Sequence, residues 1–179
     1  MKEFNNILLV SGSGRNIGKT TLACNIITQI SNDKPVYGIK ITPHFHAIDS
    51  NQEIVEKGEG FKIFQEKDIM SDKDSSRMIR AGAHKVYFVQ CDDVYLPSIY
   101  KQLVNLLPPD CAVVCESGSF AGVFKPGLHF VVKGKDVDES KQSYISNLKR
   151  ADLVIDSEVV LNGNLNYNIE FIEGHWLIK

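Results

Sequence analysis

Apolar runs alternate with helical patterns from the start of the chain to about residue 158, and no other feature limits the possible folds as strongly. The first run, Phe4–Ser11, is rich in Ile, Leu and Val, and the stretch 20–30 repeats apolar residues at the spacing of one helical face. Further strands are predicted at 36–42, 85–90, 111–116, 129–133 and 153–155. This alternation predicts βα units and a three-layer α/β fold on a mostly parallel sheet.

The segments between these strands differ in how clearly they indicate a structure. Helices are predicted at 72–82, from residue 92 or 93 to about 107, and at about 139–150. Residues 43–73 show no clear period, apart from a short strand predicted at 61–64. In the tail 159–179, Asn162-Gly163 predicts a hairpin turn, and the alternating apolar residues there predict an antiparallel edge added to the sheet.

Length and charge narrow the class of protein. The 179 residues predict one domain, with a βα core at 1–158 and a hairpin at 159–179. Twenty basic and 22 acidic residues give a net charge of −2, so no overall field attracts nucleic acid or an anionic membrane. No apolar run approaches the roughly 20 residues of a membrane span, and the start of the chain lacks the long apolar stretch of a signal peptide. We expect a cytoplasmic protein.

A glycine-rich segment lies between the first predicted strand and the first predicted helix. Its residues are Gly12, Ser13, Gly14, Arg15, Asn16, Ile17, Gly18, Lys19, Thr20 and Thr21. Glycines let successive backbone N–H groups turn inward around phosphate oxygens, and the start of the helix adds positive potential. The segment therefore predicts a phosphate-binding loop (P-loop), against the alternative of an ordinary strand-to-helix turn.

Three residues of this loop have expected roles. Lys19 would reach the β and γ phosphates and serve catalysis, the Thr20 hydroxyl would bind Mg²⁺, and Thr21 would touch the α phosphate. Ser13 stands where the usual motif has its first glycine, so the spacing is one residue longer than in G-x4-G-K-[ST]. This longer spacing resembles the loop of dethiobiotin synthetase, which implies a P-loop NTPase fold.

A second resemblance covers roughly residues 7–90. Gly38-Ile39-Lys40, the histidines His44 and His46, and the run 73–83 with its Lys-Asp-Ser-Ser-Arg and Ala-Gly-Ala are similar to the molybdopterin-guanine dinucleotide biosynthesis protein B family. The resemblance implies a P-loop protein that binds GTP, forms a homodimer and assists assembly of the guanine-dinucleotide form of the molybdenum cofactor. It also implies a molybdenum-cofactor biosynthesis protein as partner. Ile41 stands where the family has its first histidine.

Two residues at strand ends are further candidates. Glu116 ends an apolar strand on the edge that carries the P-loop, where its carboxylate could hold Mg²⁺ or orient a water; the alternative is a carboxylate facing solvent. Lys40 ends the second strand at the same edge and could contact phosphate or an acidic substrate; the alternative is a solvated lysine.

Three residues outside strand ends complete the nucleotide-binding candidates. Asp74 and Arg77 are included on the resemblance, and Arg77 could bind a phosphate with both guanidinium nitrogens; the alternatives are a helix-capping Asp and a surface arginine. Arg15 lies within the P-loop and could act on the bound nucleotide or across a dimer interface as an arginine finger.

His44 and His46 would share one face of an extended segment, and Asp49 is close enough to join them. A metal or anion site is one interpretation of this group, and solvated histidines are the other. The nucleotide base is less clearly indicated: Asp136 follows a late strand, but the Asn and Lys of the GTPase N-K-x-D motif are missing. The resemblance favours GTP over ATP.

Three functions are compatible with these residues. The first is a Mg²⁺-dependent, slow P-loop NTPase with an accessory role in molybdenum-cofactor synthesis. The second is an ATP-dependent ligase or kinase similar to dethiobiotin synthetase, with an acceptor site in 43–73. The third is a non-enzymatic adapter whose bound nucleotide sets its affinity for a partner protein.

Overall fold

A computed structural model of the chain describes residues 1–45, 52–137, 141–165 and 167–179. The strands are β1 Lys2–Gly12, β2 Val36–Thr42, β3 Gln52–Gly58, β4 Phe61–Glu66, β5 Lys85–Cys91, β6 Ala112–Glu116, β7 Phe124–Lys133, β8 Leu153–Asp156, β9 Ile169–Ile172 and β10 His175–Ile178. The helices are α1 Lys19–Ser31, α2 Asp74–Arg80, α3 Tyr100–Asn105, α4 Phe120–Val123, α5 Gln142–Leu148 and α6 Ser157–Leu161. Among the described residues, no helix is long and apolar enough to cross a membrane.

Eight strands form one mixed sheet in the order β3-β4-β5-β2-β6-β1-β7-β8. The six strands from β5 to β8 in this order pair in parallel, and only β3 and β4 add antiparallel contacts at one edge. The predicted α/β fold on a mostly parallel sheet is confirmed. Because parallel strands end at one edge of a sheet, the carboxyl ends of β1, β2 and β6 lie side by side.

Two apolar clusters cover the two faces of the sheet. On one face, α1 buries Leu22, Ile26 and Ile27 against the strands, and Met78 of α2 joins them. On the other face, the segment around α3 and α4 buries Leu96, Ile99 and Phe120 among other residues. The strands are therefore apolar on both sides, which explains why their sequence reads as continuous hydrophobic runs.

The C-terminal hairpin is present, but it differs from the prediction in two respects. It forms a separate two-stranded sheet of β9 and β10 and does not extend the main sheet. Its turn is Glu173-Gly174, where both residues have positive φ (50° and 80°) as two-residue hairpin loops require. Asn162-Gly163 instead ends α6, with Gly163 at φ 71° in the conformation usual after a helix.

Two other elements also depart from the sequence prediction. The predicted helix from 92 or 93 to 107 consists of a short 3₁₀ turn at Asp93–Tyr95 and the separate helix α3, because Pro97 interrupts a continuous helix. The predicted strand at 61–64 is β4, and it pairs with the unexpected strand β3. Nearly all described side chains of β3 are exposed, so this edge strand lacks a hydrophobic pattern.

A buried histidine joins β7 to the end of β1. The imidazole Nε2 of His129 lies 2.8 Å from the Ser11 hydroxyl, and His129 is 1% exposed. Burial lowers the pKa of His129 from 6.5 to about 4, because the charged imidazolium loses its hydration there. The folded protein therefore contains neutral His129.

This burial predicts that stability falls in mild acid. Between pH 6.5 and about 4 the unfolded chain binds a proton at His129 that the folded chain does not, so lowering the pH through this window costs up to about 3 kcal/mol of unfolding free energy. Denaturant titrations at about pH 7.5 and about pH 5 measure the loss, which His129→Gln should reduce. The matched control is His175→Gln at an exposed histidine. An equal acid sensitivity in both variants would contradict the assignment.

Candidate functional site

A cleft of about 770 Å³ opens at the carboxyl ends of β1, β2 and β6, where the predicted P-loop (residues 12–21) leads into α1. Its lining combines the P-loop, the ends of β2 and β6, and the start of α2. The lining residues are Arg15, Asn16, Ile17, Gly18, Lys19, Thr20, Thr21, Lys40, Thr42, His44, Asp72, Lys73, Asp74, Ser75, Arg77, Phe88, Glu116 and Leu161.

Backbone geometry explains the glycines of the P-loop. A β-carbon at Gly12 would lie 2.7 Å from the Val132 carbonyl oxygen, so only glycine fits so close to β7. Gly18 has φ 95° and Asn16 has φ 55°, both in the left-handed region. Turns of this kind point backbone N–H groups toward one side, as anion-binding loops require.

Ser13 holds the base of the P-loop on β7. Its backbone N–H donates to the Val132 carbonyl (3.1 Å), and its hydroxyl accepts a hydrogen bond from the Gly134 N–H (2.9 Å). Gly12 and Ser13 therefore support the loop from below, whereas residues 15–21 line the cleft. The Lys19 ammonium donates a hydrogen bond to the Gly14 carbonyl, so the side chain packs against the P-loop. Burial lowers the pKa of Lys19.

Four side chains from four elements form a closed ring of contacts beside the P-loop. The Thr20 hydroxyl lies 2.8 Å from Asp74 Oδ1 and 2.8 Å from Glu116 Oε2. The Lys40 ammonium lies 2.6 Å from Asp74 Oδ2 and 2.6 Å from Glu116 Oε1. We call these four residues the carboxylate ring. Each carboxylate thus binds Thr20 with one oxygen and Lys40 with the other.

Burial makes these contacts strong. Glu116 is 1% exposed and the side chain of Lys40 is 16% exposed, so neither faces solvent as the alternative interpretations held. Burial alone would lower the pKa of Lys40, but the carboxylates of Glu116 and Asp74 outweigh it and raise that pKa. Burial would also raise the pKa of Asp74, but Lys40 outweighs it and lowers that pKa. Both groups are therefore charged at neutral pH.

The oxygen atoms of the carboxylate ring fit a small divalent cation. The Thr20 hydroxyl has one hydrogen but faces a carboxylate oxygen on each side, so it cannot donate to both at once. A cation can interact with the hydroxyl oxygen and with both carboxylate oxygens at the same time. Among the described residues, no group of three or more His, Cys, Asp or Glu could hold a metal. Two carboxylates and a hydroxyl are oxygen ligands that could hold Mg²⁺, which usually keeps several water ligands.

Helix α2 contacts α1, the helix that follows the P-loop, through the two predicted site residues of α2. Asp74 contacts Thr20, and the Arg77 guanidinium donates to the Thr21 hydroxyl at 3.0 Å. The buried Glu66 fixes the approach to α2, since its carboxylate accepts hydrogen bonds from the Lys67 and Asp68 N–H groups and from the Ser75 hydroxyl. Sequence reasoning did not identify this supporting carboxylate, which lies in a polar stretch without a recognisable period.

Not all of the other residues predicted from the sequence lie at the cleft. The guanidinium of Arg15 lies 3.2 Å from His44 Nε2, which places both at one side of the cleft. His46 and Asp49 lie outside the described residues, so the proposed histidine cluster is described only at His44. Asp136 is exposed and does not line the cleft.

Several cleft residues were not identified from the sequence. Phe88 lies next to Lys40 in the sheet, and Glu116 lies next to Lys40 on the other side, so the three follow one row across β5, β2 and β6. This row depends on strand order, which the sequence does not specify. The other unidentified lining residues are Thr42, Asp72, Lys73, Ser75 and Leu161.

Comparison with protein-family models, with curated proteins and with solved structures gives no match for this chain. The P-loop sequence and the geometry of the cleft therefore carry the functional inference.

Proposed function

We propose that the protein binds a nucleoside triphosphate, GTP or ATP, together with Mg²⁺ in this cleft and hydrolyses it slowly. One observation carries the proposal: the hydroxyl of Thr20, directly after the P-loop lysine, lies between two carboxylates at 2.8 Å from each. P-loop proteins bind their magnesium ion with a hydroxyl at this position and a carboxylate from a neighbouring strand. Glu116 ends such a strand, and Asp74 supplies a second carboxylate.

The charge of the cleft fits this ligand. Among the described lining residues, the cationic side chains Arg15, Lys19, Lys40, Lys73 and Arg77 outnumber the carboxylates of Asp72, Asp74 and Glu116 by two. A magnesium nucleoside triphosphate carries a net charge of about −2, so it would neutralise the cleft. A neutral ligand would leave this excess charge unbalanced.

Each residue has a role in this proposal. Backbone N–H groups of the P-loop bind phosphate oxygens, and Lys19 leaves the Gly14 carbonyl to bind the terminal phosphates. Thr20, Asp74 and Glu116 would hold Mg²⁺, and Thr21 and Arg77 lie beside them at the same end of α1. Bound Mg²⁺ neutralises charge on the phosphate oxygens during transfer.

Slow hydrolysis follows from the partners of Glu116. Its carboxylate contacts the Thr20 hydroxyl and is assigned to Mg²⁺ with it, so Glu116 is not placed to orient an attacking water at the same time. Positioning and charge neutralisation then supply most of the rate enhancement.

We also propose an accessory role in forming the guanine-dinucleotide molybdenum cofactor, with a molybdenum-cofactor biosynthesis protein as partner and a homodimer as the working form. This part rests on the sequence resemblance of residues 7–90, as does the preference for GTP over ATP.

A second candidate function is an ATP-dependent kinase or ligase, and one observation favours it. The cleft lining extends to Thr42, His44 and Phe88, which belong neither to the P-loop nor to the carboxylate ring. A polar group, an imidazole and an aromatic ring are suited to a second substrate. This extension could bind the acceptor.

Substitution of Lys19 tests nucleotide binding. Lys19→Ala removes the ammonium that binds the terminal phosphates, so affinity for ATP and GTP should fall by about tenfold to a hundredfold. Isothermal titration with Mg²⁺ and each nucleotide measures it, and Lys85→Ala at the far end of β5 is the matched control. Unchanged affinity of Lys19→Ala for both nucleotides would refute the proposal.

Substitution of Glu116 tests its role at the metal. Glu116→Gln keeps the shape but loses the charge that holds Mg²⁺, so Mg²⁺-dependent turnover should fall by about tenfold to a hundredfold. Nucleotide affinity without Mg²⁺ should not fall. Phosphate release and titration measure the two quantities, with Glu173→Gln in the hairpin turn as control. Wild-type turnover of Glu116→Gln would remove Glu116 from the mechanism.

Product analysis separates the two candidate functions. An accessory NTPase releases phosphate slowly without any acceptor, and it raises the yield when added with GTP to a reconstituted synthesis of the guanine-dinucleotide cofactor. A kinase or ligase consumes ATP only when its acceptor is present. No effect on the reconstitution, combined with ATP consumption that depends on an added small-molecule acceptor, would favour the second function.

A further inference from the structure

Lys40 occupies an unusual position for a residue expected to bind substrate. Its ammonium lies between the carboxylates of Asp74 and Glu116, 2.6 Å from an oxygen of each. Strand β2 fixes this position, because Lys40 is the direct neighbour of Glu116 on β6. Lys40 is therefore a cation already bound to the two carboxylates that the proposed function assigns to Mg²⁺.

The ammonium and a metal ion need the same negative charges. Each carboxylate gives one oxygen to Lys40 and the other to the Thr20 hydroxyl, so both carboxylates are engaged in the nucleotide-free protein. A divalent cation held by the same carboxylates would lie close to the ammonium and repel it. In a site as buried as that of Glu116, water screens this repulsion only weakly.

We propose that the Lys40 ammonium takes the place of the divalent cation in the nucleotide-free protein, and that the cation enters only when the terminal phosphate of the nucleotide offers Lys40 another anionic partner. The inference rests on the proposed function. It makes Lys40 a positioning residue that couples metal binding to nucleotide binding.

Two physical reasons support this coupling. Among the described residues, the protein offers a divalent cation only two carboxylates and one hydroxyl. Without phosphate oxygens these ligands are few, so the metal gains little binding free energy when it displaces Lys40. The lysine side chain is long and flexible, and the cleft lined by both Lys40 and Lys19 gives it a path to the phosphates. Metal alone should bind weakly, and metal and triphosphate should strengthen each other.

Binding of Mn²⁺, followed by electron paramagnetic resonance, tests the inference. Mn²⁺ is titrated into wild type, Lys40→Met, Lys40→Gln and Lys85→Met. Each titration is run with Mn²⁺ alone and then with a non-hydrolysable imido analogue of the nucleoside triphosphate present, called the imidotriphosphate below. We expect Lys40→Met to bind Mn²⁺ alone about tenfold more tightly than wild type, because the competing cation is gone. Lys40→Gln, which keeps hydrogen-bond donors without charge, should fall between them, and Lys85→Met should match wild type.

The nucleotide effect gives the decisive comparison. The imidotriphosphate should tighten Mn²⁺ binding by a larger factor in wild type than in Lys40→Met, since only wild type must release the ammonium. If the substitution tightens Mn²⁺ binding equally with and without nucleotide, Lys40 acts only as a fixed charge and the inference is overturned. Unchanged binding of Mn²⁺ alone in folded Lys40→Met and Lys40→Gln would also overturn it.

Failure of the proposed function gives a different result. In that case the imidotriphosphate does not bind to wild type, with or without Mn²⁺, whereas failure of the inference leaves nucleotide binding intact. Circular dichroism confirms folding of each variant, and Lys40→Gln provides a folded variant if Lys40→Met loses structure through the unpaired Glu116.

Discussion

The shared use of two carboxylates by a hydroxyl and an ammonium is the interaction on which the site depends. Glu116 is 1% exposed, and a buried carboxylate without partners would cost several kcal/mol. Thr20 and Lys40 satisfy it from two sides, and Asp74 closes the ring between them. Each member comes from a different element, so the ring also fixes the relative positions of α1, α2, β2 and β6. Loss of one member would leave a buried charge and loosen the contact between elements.

The sheet and the loop before α2 bring this ring together. Parallel pairing of β2 with β6 places Lys40 directly beside Glu116. Asp74 depends instead on the segment before its helix, where the buried Glu66 accepts two backbone hydrogen bonds and one from Ser75. The chain therefore uses a second buried carboxylate, away from the cleft, to position the carboxylate that contacts Thr20.

Local patterns in the sequence predicted most of the strands, the glycine-rich loop and the candidates Lys40 and Glu116, whereas Asp74 was included through the family resemblance. Their direct contact could not be predicted, because it depends on the order of strands in the sheet: β6 lies between β1 and β2, although residues 43–111 separate it from β2 in the chain. The edge strand β3 was missed because its side chains are exposed and carry no apolar period. The predicted hairpin turn at Asn162-Gly163 was wrong because Asn-Gly ends a helix as readily as it joins two strands, and here it ends α6, which packs Val160 into the core.

The site combines neutral hydrogen bonds at the base of the P-loop with charged contacts beside it. Below the P-loop, Ser11 bonds to His129 and Ser13 bonds to Val132 and Gly134, and these neutral hydrogen bonds face β7, away from the cleft. These bonds hold the base of the loop independently of the charged contacts in the cleft. The contacts beside the loop are charged, and the proposed function assigns new partners to them: a metal ion for the carboxylates and a phosphate for Lys40. Under the proposed function, the ligand that suits this arrangement brings a cation for the two carboxylates and an anion for Lys40.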